Sequence, residues 1–327
     1  PLSSGSFVSS QLYVCLTNIQ LNHPQAYVLL GAGAEQYARW IENETEWLLC
    51  GNCSAVLEHV NHAEHFFSSL TDLEIQFPAV SYNDKPETET RSWLFKYSNT
   101  CGGVGVHRNP PFNNPNAVGY WQQEIIGQSI SALFITDGKQ AECIGINQMH
   151  SYEMDVNHPY VYQGVSINKL VDDDIKYKTI SYAERIIKHF KLIGVFSIDM
   201  LLSDDGIEPR LYVLEVNARI SASYELYERV NPGLNLVDEH IRVCEGERLS
   251  KLMLNKAVYA YSFVYTRSVC QIKAGIDWPV WCKDIPETGR RILSGEPLCS
   301  VYTEQQEGDI QTLLYEREQE VLNIINQ

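Results

Sequence analysis

Ile198-Asp199-Met200 and Leu214-Glu215-Val216-Asn217-Ala218-Arg219 are the two most informative segments of this chain. Each belongs to an apolar run, 195–202 (VFSIDMLL) and 211–216 (LYVLEV), and the sequence between them, 203–206 (SDDG), is typical of a turn. The pattern predicts two neighbouring strands of one hairpin.

Two carboxylates and an amide lie on these strands. Burying an acidic side chain is costly unless a cation compensates it, and carboxylate and amide oxygens suit a hard cation such as Mg2+. Glu215 and Asn217 point to one face, because side chains repeat every two residues along a strand, and Arg219 continues the alternation if the strand extends so far. Together with Asp199, this face would hold a metal–triphosphate and a developing anion. The alternative is a solvated hairpin face with unrelated polar residues, which the apolar neighbours disfavour.

A glycine-rich segment follows a strand that ends in a lysine. Residues 92–96 (SWLFK) predict the strand, and 99–106 (NTCGGVGV) form a loop whose backbone N–H groups can approach phosphate oxygens closely. Lys96 can neutralise phosphate charge. Neither a Walker pattern nor a dinucleotide-binding fingerprint fits, because the lysine precedes the glycines and 107–111 (HRNPP) cannot start a helix. Alone, the loop would be a hairpin tip; with the acidic group it is interpreted as a nucleotide lid.

Residues 120–131 (YWQQEIIGQSIS) contain two apolar strands around a polar pair and a glycine. The segment predicts a connection between two subdomains, with backbone groups of Glu124 to Ile126 free to bond an adenine edge. The alternative is an ordinary strand with a bulge at Gly127.

The order of these motifs resembles the ATP-grasp superfamily of carboxylate–amine ligases over roughly residues 90–225. The resemblance implies an α/β (α+β) protein with the ATP-grasp fold, in which two α+β subdomains grip the nucleotide. It also implies that ATP phosphorylates a substrate carboxylate and that an amine then attacks the acyl phosphate. The implied cofactors are ATP and Mg2+ or Mn2+, and the implied partners are a small-molecule carboxylate and an amine.

The resemblance also assigns roles to individual residues. Lys96 and the glycine loop would cover the phosphates, and Arg219 would steady the acyl phosphate and the tetrahedral intermediate. The implied nucleotide-binding residues are Lys96, Gly102, Gly103, Gly105, Gln123, Glu124, Ile125 and Ile126; the metal ligands are Asp199, Glu215 and Asn217; and the catalytic residues are Arg219 and Lys96. Three residues that follow the arginine could line the acceptor site or simply bind their own backbone, namely Ser221, Ser223 and Tyr224.

A narrower resemblance rests on motifs that are mostly structural. Segments 31–35 (GAGAE), 49–52 (LCGN) and 284–289 (DIPETG) are similar to ATP-grasp proteins of one-carbon cofactor biosynthesis, which resemble tyramine–glutamate ligase. That resemblance implies that glutamate is joined to an amine such as tyramine in methanofuran or methylofuran assembly. Two alternatives stay open: a ligase for another amino acid or a peptide, and a non-catalytic ATP-binding module that has kept the fold.

The sequence departs from the superfamily pattern before the glycine loop. Many ATP-grasp enzymes have an additional ATP-contacting lysine there, but no lysine precedes Lys85 and Arg39 is the only Lys or Arg in that stretch. The corresponding segment is 60–66 (VNHAEHF). We expect that a histidine or the backbone replaces the lysine, or that nucleotide affinity is lower. The amino-terminal domain is also expected to be short, with 11–19 (QLYVCLTNI) as its first strand.

Composition limits the classes of partner. The chain has 327 residues with 44% hydrophobic and 20% charged residues, which describes an ordinary globular protein. A net charge of −16 argues against a nucleic-acid partner, because phosphate backbones require clustered Lys and Arg. No apolar run reaches the ~20 residues of a membrane helix, and residues 1–10 show no secretory signal. A cytoplasmic protein is expected, and a homodimer stays open.

The nine cysteines do not predict a disulfide framework, because their number is odd and their positions are scattered. Cys50-Gly-Asn-Cys53 is a lone C-x-x-C pair. A zinc or redox site is one interpretation of this pair, but two half-buried thiols beside a turn are the preferred one. Cys101 in the glycine loop is assigned no catalytic role.

Three units are expected: an amino-terminal α/β domain at 1–84, a lid subdomain at 85–135 and a carboxy-terminal subdomain with the metal-binding strands at 136–327. Periodicity predicts helices and one further strand along these units. The predicted helices cover 35–42, 55–70, 172–190, 225–243 (broken at 231–233) and 311–325, and the strand covers 257–264.

Overall fold

The computed structural model describes residues 9–23, 26–86, 92–98, 100–110, 118–204, 209–304 and 309–325. Asp205 and Gly206 of the predicted turn and Asn99 of the glycine-rich segment lie outside these residues. The α/β (α+β) class is confirmed, since helices and mostly antiparallel sheets alternate along the chain.

The amino-terminal part is mainly helical. A short parallel pair of strands flanks its second helix, and a 3-10 turn at Glu35–Tyr37 precedes that helix. Its elements are α1 (Ser9–Asn22), β1 (Tyr27–Val28), α2 (Ala38–Glu44), β2 (Leu48–Leu49), α3 (Ser54–Asn61) and α4 (Ala63–Asp72).

Four strands then form a small antiparallel sheet in the order β3-β6-β4-β5. They are β3 (Val80–Ser81), β4 (Trp93–Tyr97), β5 (Val106–His107) and β6 (Gly119–Gln123). Trp93, Phe95 and Trp121 form the core of this small sheet.

The rest of the chain builds an eight-stranded sheet in the order β11-β10-β7-β8-β9-β12-β16-β14. Its first part comprises β7 (Gln128–Thr136), β8 (Ala141–Tyr152), β9 (Val161–Ser166), α5 (Asp173–Phe190), β10 (Gly194–Asp204) and β11 (Pro209–Asn217). Its second part comprises α6 (Tyr224–Val230), α7 (Leu236–Cys244), β12 (Tyr259–Tyr265), β13 (Cys270–Gln271), β14 (Cys282–Lys283), β15 (Arg291–Ile292), β16 (Pro297–Glu304) and α8 (Ile310–Ile325). β13 and β15 pair separately from the large sheet.

The main core lies where α4 and α5 cover one face of the large sheet. Ile186 of α5 packs in the same buried cluster as Phe196 and Ile198 of β10, and all three side chains are fully buried. The packing of α5 against the sheet therefore fixes the strands that carry the acidic residues. None of the helices in the described part of the chain is long and apolar enough to cross a membrane.

The predicted strand at 11–19 was wrong, because these residues lie in the helix α1. A short apolar run does not distinguish a buried strand from a helix, and here Tyr13 packs by its ring against Trp40 and Trp47, with centroids 6.3 and 6.0 Å away. The helix is held by aromatic contacts rather than by strand pairing.

The helix predicted at 55–70 is two helices. α3 ends at Asn61 and α4 begins at Ala63, because His62 adopts an extended backbone conformation between them. The helix at 172–190 and the strands at 195–202 and 211–216 are confirmed by α5, β10 and β11. The remaining helices and the strand at 257–264 are confirmed with boundaries shifted by a few residues.

Candidate nucleotide and metal site

Asp199 and Glu215 face each other across two neighbouring strands. They are direct partners in the register of β10 and β11, so their side chains project from the same face of the large sheet. On the other side of β10, Ser131 of β7 pairs with Asp199, and its hydroxyl donates to Asp199 Oδ1 at 2.6 Å. Strand pairing thus brings together Asp199 and Glu215, the two carboxylates of the predicted acidic group.

Asn217 lies two residues beyond Glu215 and joins the same group. Its amide nitrogen donates to Asp199 Oδ2 at 3.0 Å and to Glu215 Oε1 at 3.4 Å. The structure therefore brings together the three predicted metal ligands around one point. The two carboxylates are the oxygen ligands that Mg2+ or Mn2+ favours, so they fit the implied ion. The Asn217 amide turns its nitrogen towards them and its oxygen towards Arg219, so it would have to rotate to add an oxygen ligand.

The pKa of Asp199 is raised to about 7, first because burial disfavours the charged carboxylate and second because the charge of Glu215 is close by. The hydrogen bond from Ser131 works in the opposite direction. Two carboxylates that face each other in a partly buried site favour a positive charge between them. This electrostatic demand supports the fit of a divalent cation at the same point.

Lys96 lies in β4 of the small sheet, opposite Tyr120 of β6. Burial lowers the pKa of its ammonium group, whereas the charges of Glu215 and Asp199 raise it. Both carboxylates are therefore close enough to favour the charged form of this lysine. Burial is the first cause that raises the pKa of Tyr120 and of Tyr162; the charge of Glu215 adds to the effect on Tyr120, and the charge of Asp199 adds to the effect on Tyr162.

Arg219 closes the other end of the acidic group, and all three of its nitrogens have partners. Nη2 donates to Asn217 Oδ1 at 2.8 Å, and Nη1 donates to the Ile220 carbonyl at 3.3 Å. Nε donates to Glu35 Oε1 at 2.6 Å, which makes an ion pair with the amino-terminal part of the chain. The arginine is thus adjacent to the predicted metal ligands, although β11 ends at Asn217 and the strand alternation does not extend to it.

The glycine loop is the tip of the hairpin between β4 and β5, and it rests on the start of β9. The Tyr162 N–H donates to the Gly102 carbonyl at 2.8 Å. Gly103 has a φ of +73°, and a Cβ atom there would overlap the Tyr160 carbonyl. A Cβ at Gly105 would overlap the Thr100 hydroxyl. Glycine is therefore required at the second and third loop positions by close packing of the backbone.

The connection between the two sheets runs through Gln123–Gly127. The Gln123 N–H donates to the Ala79 carbonyl and the Glu124 N–H to the Ser92 carbonyl, each at 2.8 Å. The expectation that the Glu124 N–H is free was therefore wrong, because it belongs to the small sheet. Within the described residues no hydrogen bond engages the N–H groups of Ile125 and Ile126, so the other two donors of the predicted segment are open.

The Glu124 side chain ties the connection to both sheets. It is 8% exposed and accepts from Arg108 Nη2 at 3.1 Å and from the Tyr160 hydroxyl at 2.8 Å. Ile126 is 80% exposed, and its carbonyl accepts from the Ser203 hydroxyl at 2.9 Å. A Cβ at Gly127 would lie 2.5 Å from the Leu202 carbonyl oxygen, so this glycine lets the connection pass close to β10. The close approach explains the glycine without a bulge.

The three predicted acceptor residues lie just beyond Arg219. The Ser221 and Ser197 hydroxyls are 2.6 Å apart, and the Tyr224 N–H donates to the Ser221 carbonyl at 3.0 Å. Ser223 is buried before the first turn of α6. The Ser221 hydroxyl thus contacts another side chain rather than its own backbone, and this contact places Ser221 next to β10.

Sequence reasoning missed three residues of this site. Ser131 bonds Asp199, Glu35 pairs with Arg219, and Tyr162 borders the acids from β9. A hydroxyl within the apolar run of β7 was a usable signal for Ser131. Nothing local in the sequence connects Glu35 with a residue 184 positions away.

The segment that replaces the expected upstream lysine forms a histidine cluster. His62 stacks on His65 with ring centroids 4.1 Å apart, and His59 packs between His65 and His189. Burial lowers the pKa of His59, and the neighbouring histidines lower it further. Imidazole side chains therefore lie in the segment where the superfamily pattern has an ammonium group.

The Cys50-x-x-Cys53 pair does not converge on one point. Cys53 is exposed. The donor atoms of Cys50, His240 and Cys244, in contrast, lie within 4.8 Å of one another. They are the single group of three possible metal-ligating side chains found in the described part of the chain. Both ring nitrogens of His240 already contact the backbone. Nδ1 accepts from the Val195 N–H at 2.8 Å, and Nε2 lies 3.2 Å from the Cys50 carbonyl. The imidazole therefore holds two loops together and offers no free nitrogen to a metal.

Comparison with known proteins found a matching family model and matching solved structures. A family model described as the ATP-grasp domain matches residues 63–223. None of the curated proteins matches the chain in sequence.

Solved structures match most of the chain at low sequence identity. L-amino acid ligase from Bacillus licheniformis has a TM-score of 0.70 and 13% identity, over 93% of this chain and 82% of that one. The biotin carboxylase domain of Hydrogenobacter thermophilus 2-oxoglutarate carboxylase, solved as a dimer with MgADP, ADP and bicarbonate, has a TM-score of 0.69 and 13% identity, over 94% and 76%. N5-carboxyaminoimidazole ribonucleotide synthetase from Thermotoga maritima has a TM-score of 0.59 and 13% identity, over 89% and 78%. The chain therefore has the ATP-grasp fold, and its residues 63–223 match the ATP-grasp domain model.

Proposed function

We propose that this protein is an ATP-dependent carboxylate–amine ligase that forms an amide through an acyl phosphate. One observation carries the proposal: Asp199, Glu215 and Asn217 form a single acidic group, with Lys96 facing it from the small sheet and Arg219 closing its end. Phosphoryl transfer needs positioning and charge neutralisation more than covalent help from the protein, and this group supplies both.

Each residue has a defined part in the proposed reaction. Asp199, Glu215 and Asn217 would hold Mg2+, which supplies charge neutralisation for the phosphates when it is bound. Lys96 neutralises the transferring phosphoryl group, and the glycine loop covers it through backbone N–H groups. Arg219 stabilises the negative charge that develops as the amine attacks. The carboxylate oxygen leaves with the phosphate, and the amine nitrogen takes its place on the carbonyl carbon.

The small sheet acts as the lid over the nucleotide in this proposal. Because β7 belongs to the large sheet, we propose that the lid ends in the connection 124–127 rather than at residue 135. The amino-terminal helices and the large sheet are the other two units.

For the substrates, we propose glutamate and an amine such as tyramine, in the assembly of a methylofuran-type cofactor. The support is the set of sequence motifs at 31–35, 49–52 and 284–289. A ligase for another amino acid or a peptide is the first alternative, and the likeness in fold to an L-amino acid ligase supports it.

The second alternative is a non-catalytic ATP-binding module. The ion pair between Arg219 and Glu35 favours it, because the arginine is already occupied, as does the histidine cluster in place of the upstream lysine. The intact acidic group speaks against it.

Hydroxylamine separates these possibilities without knowledge of the natural amine. The protein is incubated with ATP, Mg2+, a panel of carboxylic and amino acids, and hydroxylamine, and the hydroxamate and phosphate are measured. A ligase forms hydroxamate and phosphate in equal amounts and only with certain acids. ATP binding without hydroxamate from any acid would support the non-catalytic module instead. Glutamate and tyramine, tested together without hydroxylamine, then examine the proposed substrate pair directly.

A further inference from the structure

The ion pair between Arg219 and Glu35 joins two distant parts of the chain at the proposed site. Nε of the arginine lies 2.6 Å from Glu35 Oε1, and the two side chains are only 11% and 18% exposed. For comparison, the ion pair of Arg39 and Glu58 in the same amino-terminal part is 61% and 53% exposed. The Arg219 pair is thus largely shielded from water.

A substrate carboxylate that binds the Nε edge of the Arg219 guanidinium must displace Glu35, because Glu35 accepts from Nε there. The displaced glutamate would then be a poorly hydrated anion without its cation, which is strongly unfavourable. A simple carboxylic acid leaves this charge uncompensated. A molecule that brings a cation together with its carboxylate satisfies both partners at once, and it discriminates against acids that lack the cation.

The surroundings of Glu35 place it at the junction of three elements. It opens the 3-10 turn Glu35–Tyr37 directly after the 31–34 loop. In that loop, the position of a Cβ on Gly33 lies 3.6 Å from the Cys101 sulfur of the glycine loop. The amino-terminal turn, the glycine loop and the end of β11 therefore meet at the ion pair. Arg219 also lines a small cavity together with Leu29, Leu30 and Leu49 of the amino-terminal part.

We propose that Glu35 is the ammonium-binding residue for an amino acid substrate whose carboxylate binds Arg219. The inference rests on the proposed ligase function, and it names both the substrate class and a specificity residue of the same site. In the substrate-free protein Glu35 and Arg219 neutralise each other. In the complex, the substrate carboxylate takes the place of Glu35 on the guanidinium, and the substrate ammonium takes the place of the guanidinium on Glu35.

The test compares amino acids with the same acids lacking the amino group. Hydroxamate formation is measured with L-alanine against propionate and with L-glutamate against glutarate, and the panel is extended to the other amino acids and their deaminated forms. Wild-type protein, Glu35→Gln and the control Glu58→Gln are compared. We expect the best amino acid to exceed its deaminated partner in kcat/KM by about tenfold or more, which corresponds to ~1.4 kcal/mol. Glu35→Gln should reduce this ratio to near one, chiefly through KM, and Glu58→Gln should keep it.

Calorimetry on the protein loaded with MgADP gives a readout that does not depend on turnover. An amino acid that binds more tightly than its deaminated form to wild type, but equally to Glu35→Gln, supports the inference even if no hydroxamate forms; in that case only the proposed ligase function fails. Equal binding of the two acids to wild type, or a preference that survives in Glu35→Gln, overturns the inference while hydroxamate formation continues to support the ligase.

Discussion

Glu215 is the residue on which the proposed chemistry depends most. It faces Asp199 across the β10–β11 pair, helps to raise the pKa of that carboxyl to about 7, and contributes to the electrostatic environment of Lys96. Removing its charge leaves one carboxylate and an amide to hold the cation. Replacing it with glutamine retains the size and the strand position.

Glu215→Gln should reduce ATP-dependent hydroxamate formation by about 100-fold or more, which corresponds to ~2.7 kcal/mol of transition-state stabilisation. Its unfolding midpoint without ligand should be unchanged or higher, because the repulsion of Asp199 is removed. Glu184→Gln on the exposed side of α5 is the matched control. Normal turnover in the Glu215 variant would refute the metal assignment.

Lys96 is the cation of the small sheet that faces the acidic group. Lys96→Ala should weaken MgATP binding by about tenfold or more, a loss of ~1.4 kcal/mol, because the triphosphate loses a largely buried positive charge. Titration calorimetry measures the affinity, with Lys139→Ala in an exposed turn as control. An unchanged affinity would move the phosphate site elsewhere.

At the scale of elements, the glycine loop is fixed by its contact with β9. Gly102 and Gly103 both have positive φ values, +67° and +73°, but their surroundings differ. A Cβ at Gly102 meets nothing within 4 Å, whereas a Cβ at Gly103 overlaps the backbone of Tyr160. A substitution at Gly102 therefore tests backbone strain alone, whereas a substitution at Gly103 adds steric overlap.

Gly102→Ala should cost about 1 kcal/mol of unfolding free energy through its strained φ. Gly103→Ala should cost a further ~1–3 kcal/mol, because the loop must move away from β9. Urea unfolding measures the free energies, and calorimetry measures the affinity for MgATP, which should fall more in the Gly103 variant. Equal effects of both substitutions would show that the loop does not rest on β9.

His107 lies in β5, beside the loop, with its ring centroid 4.4 Å from that of His158. Burial lowers the pKa of His107, and the nearby His158 lowers it further. Because the pKa in the folded protein lies below the unfolded value of about 6.5, the unfolded chain binds more protons as the pH falls. The contribution of His107 is therefore present above pH ~6.5 and is lost as the pH falls through the lower, folded value.

His107→Gln should remove this dependence. The difference in unfolding free energy between wild type and the variant, measured in urea at pH 8 and at pH 5.5, should favour wild type less at pH 5.5. A difference that stays constant or grows towards low pH would contradict the buried, neutral state of the imidazole.

The elements also show what the sequence could and could not predict. Alternation along 211–217 correctly placed Glu215 and Asn217 on one side, because strand geometry depends only on neighbouring residues. Arg219 lies beyond the end of β11 at Asn217, so alternation did not determine its position. The strand at 11–19 was wrong, because an apolar run fits either a helix or a strand and aromatic contacts decided between them. The pairing of Glu35 with Arg219 depends on the way the whole chain folds back, which no local pattern encodes.

At the scale of the molecule, the nucleotide would bridge the small sheet and the large sheet. A ligand that binds only the folded state stabilises it by mass action, by ~2.7 kcal/mol at 100 times its Kd. MgATP at that concentration should therefore raise the unfolding midpoint by roughly 4 °C or more. Thermal unfolding of wild type should show this shift with Mg2+ and a much smaller one with EDTA. A similar shift in Glu215→Gln would argue against the acidic group as the metal site.

The most direct measurement is a crystal structure of the protein with MnADP, in which anomalous scattering locates the metal. The account predicts a manganese peak about 2.0–2.3 Å from oxygens of Asp199, Glu215 and Asn217, with the diphosphate between this group and Lys96. A nucleotide bound elsewhere, or a metal peak that none of these three residues ligates, would contradict it.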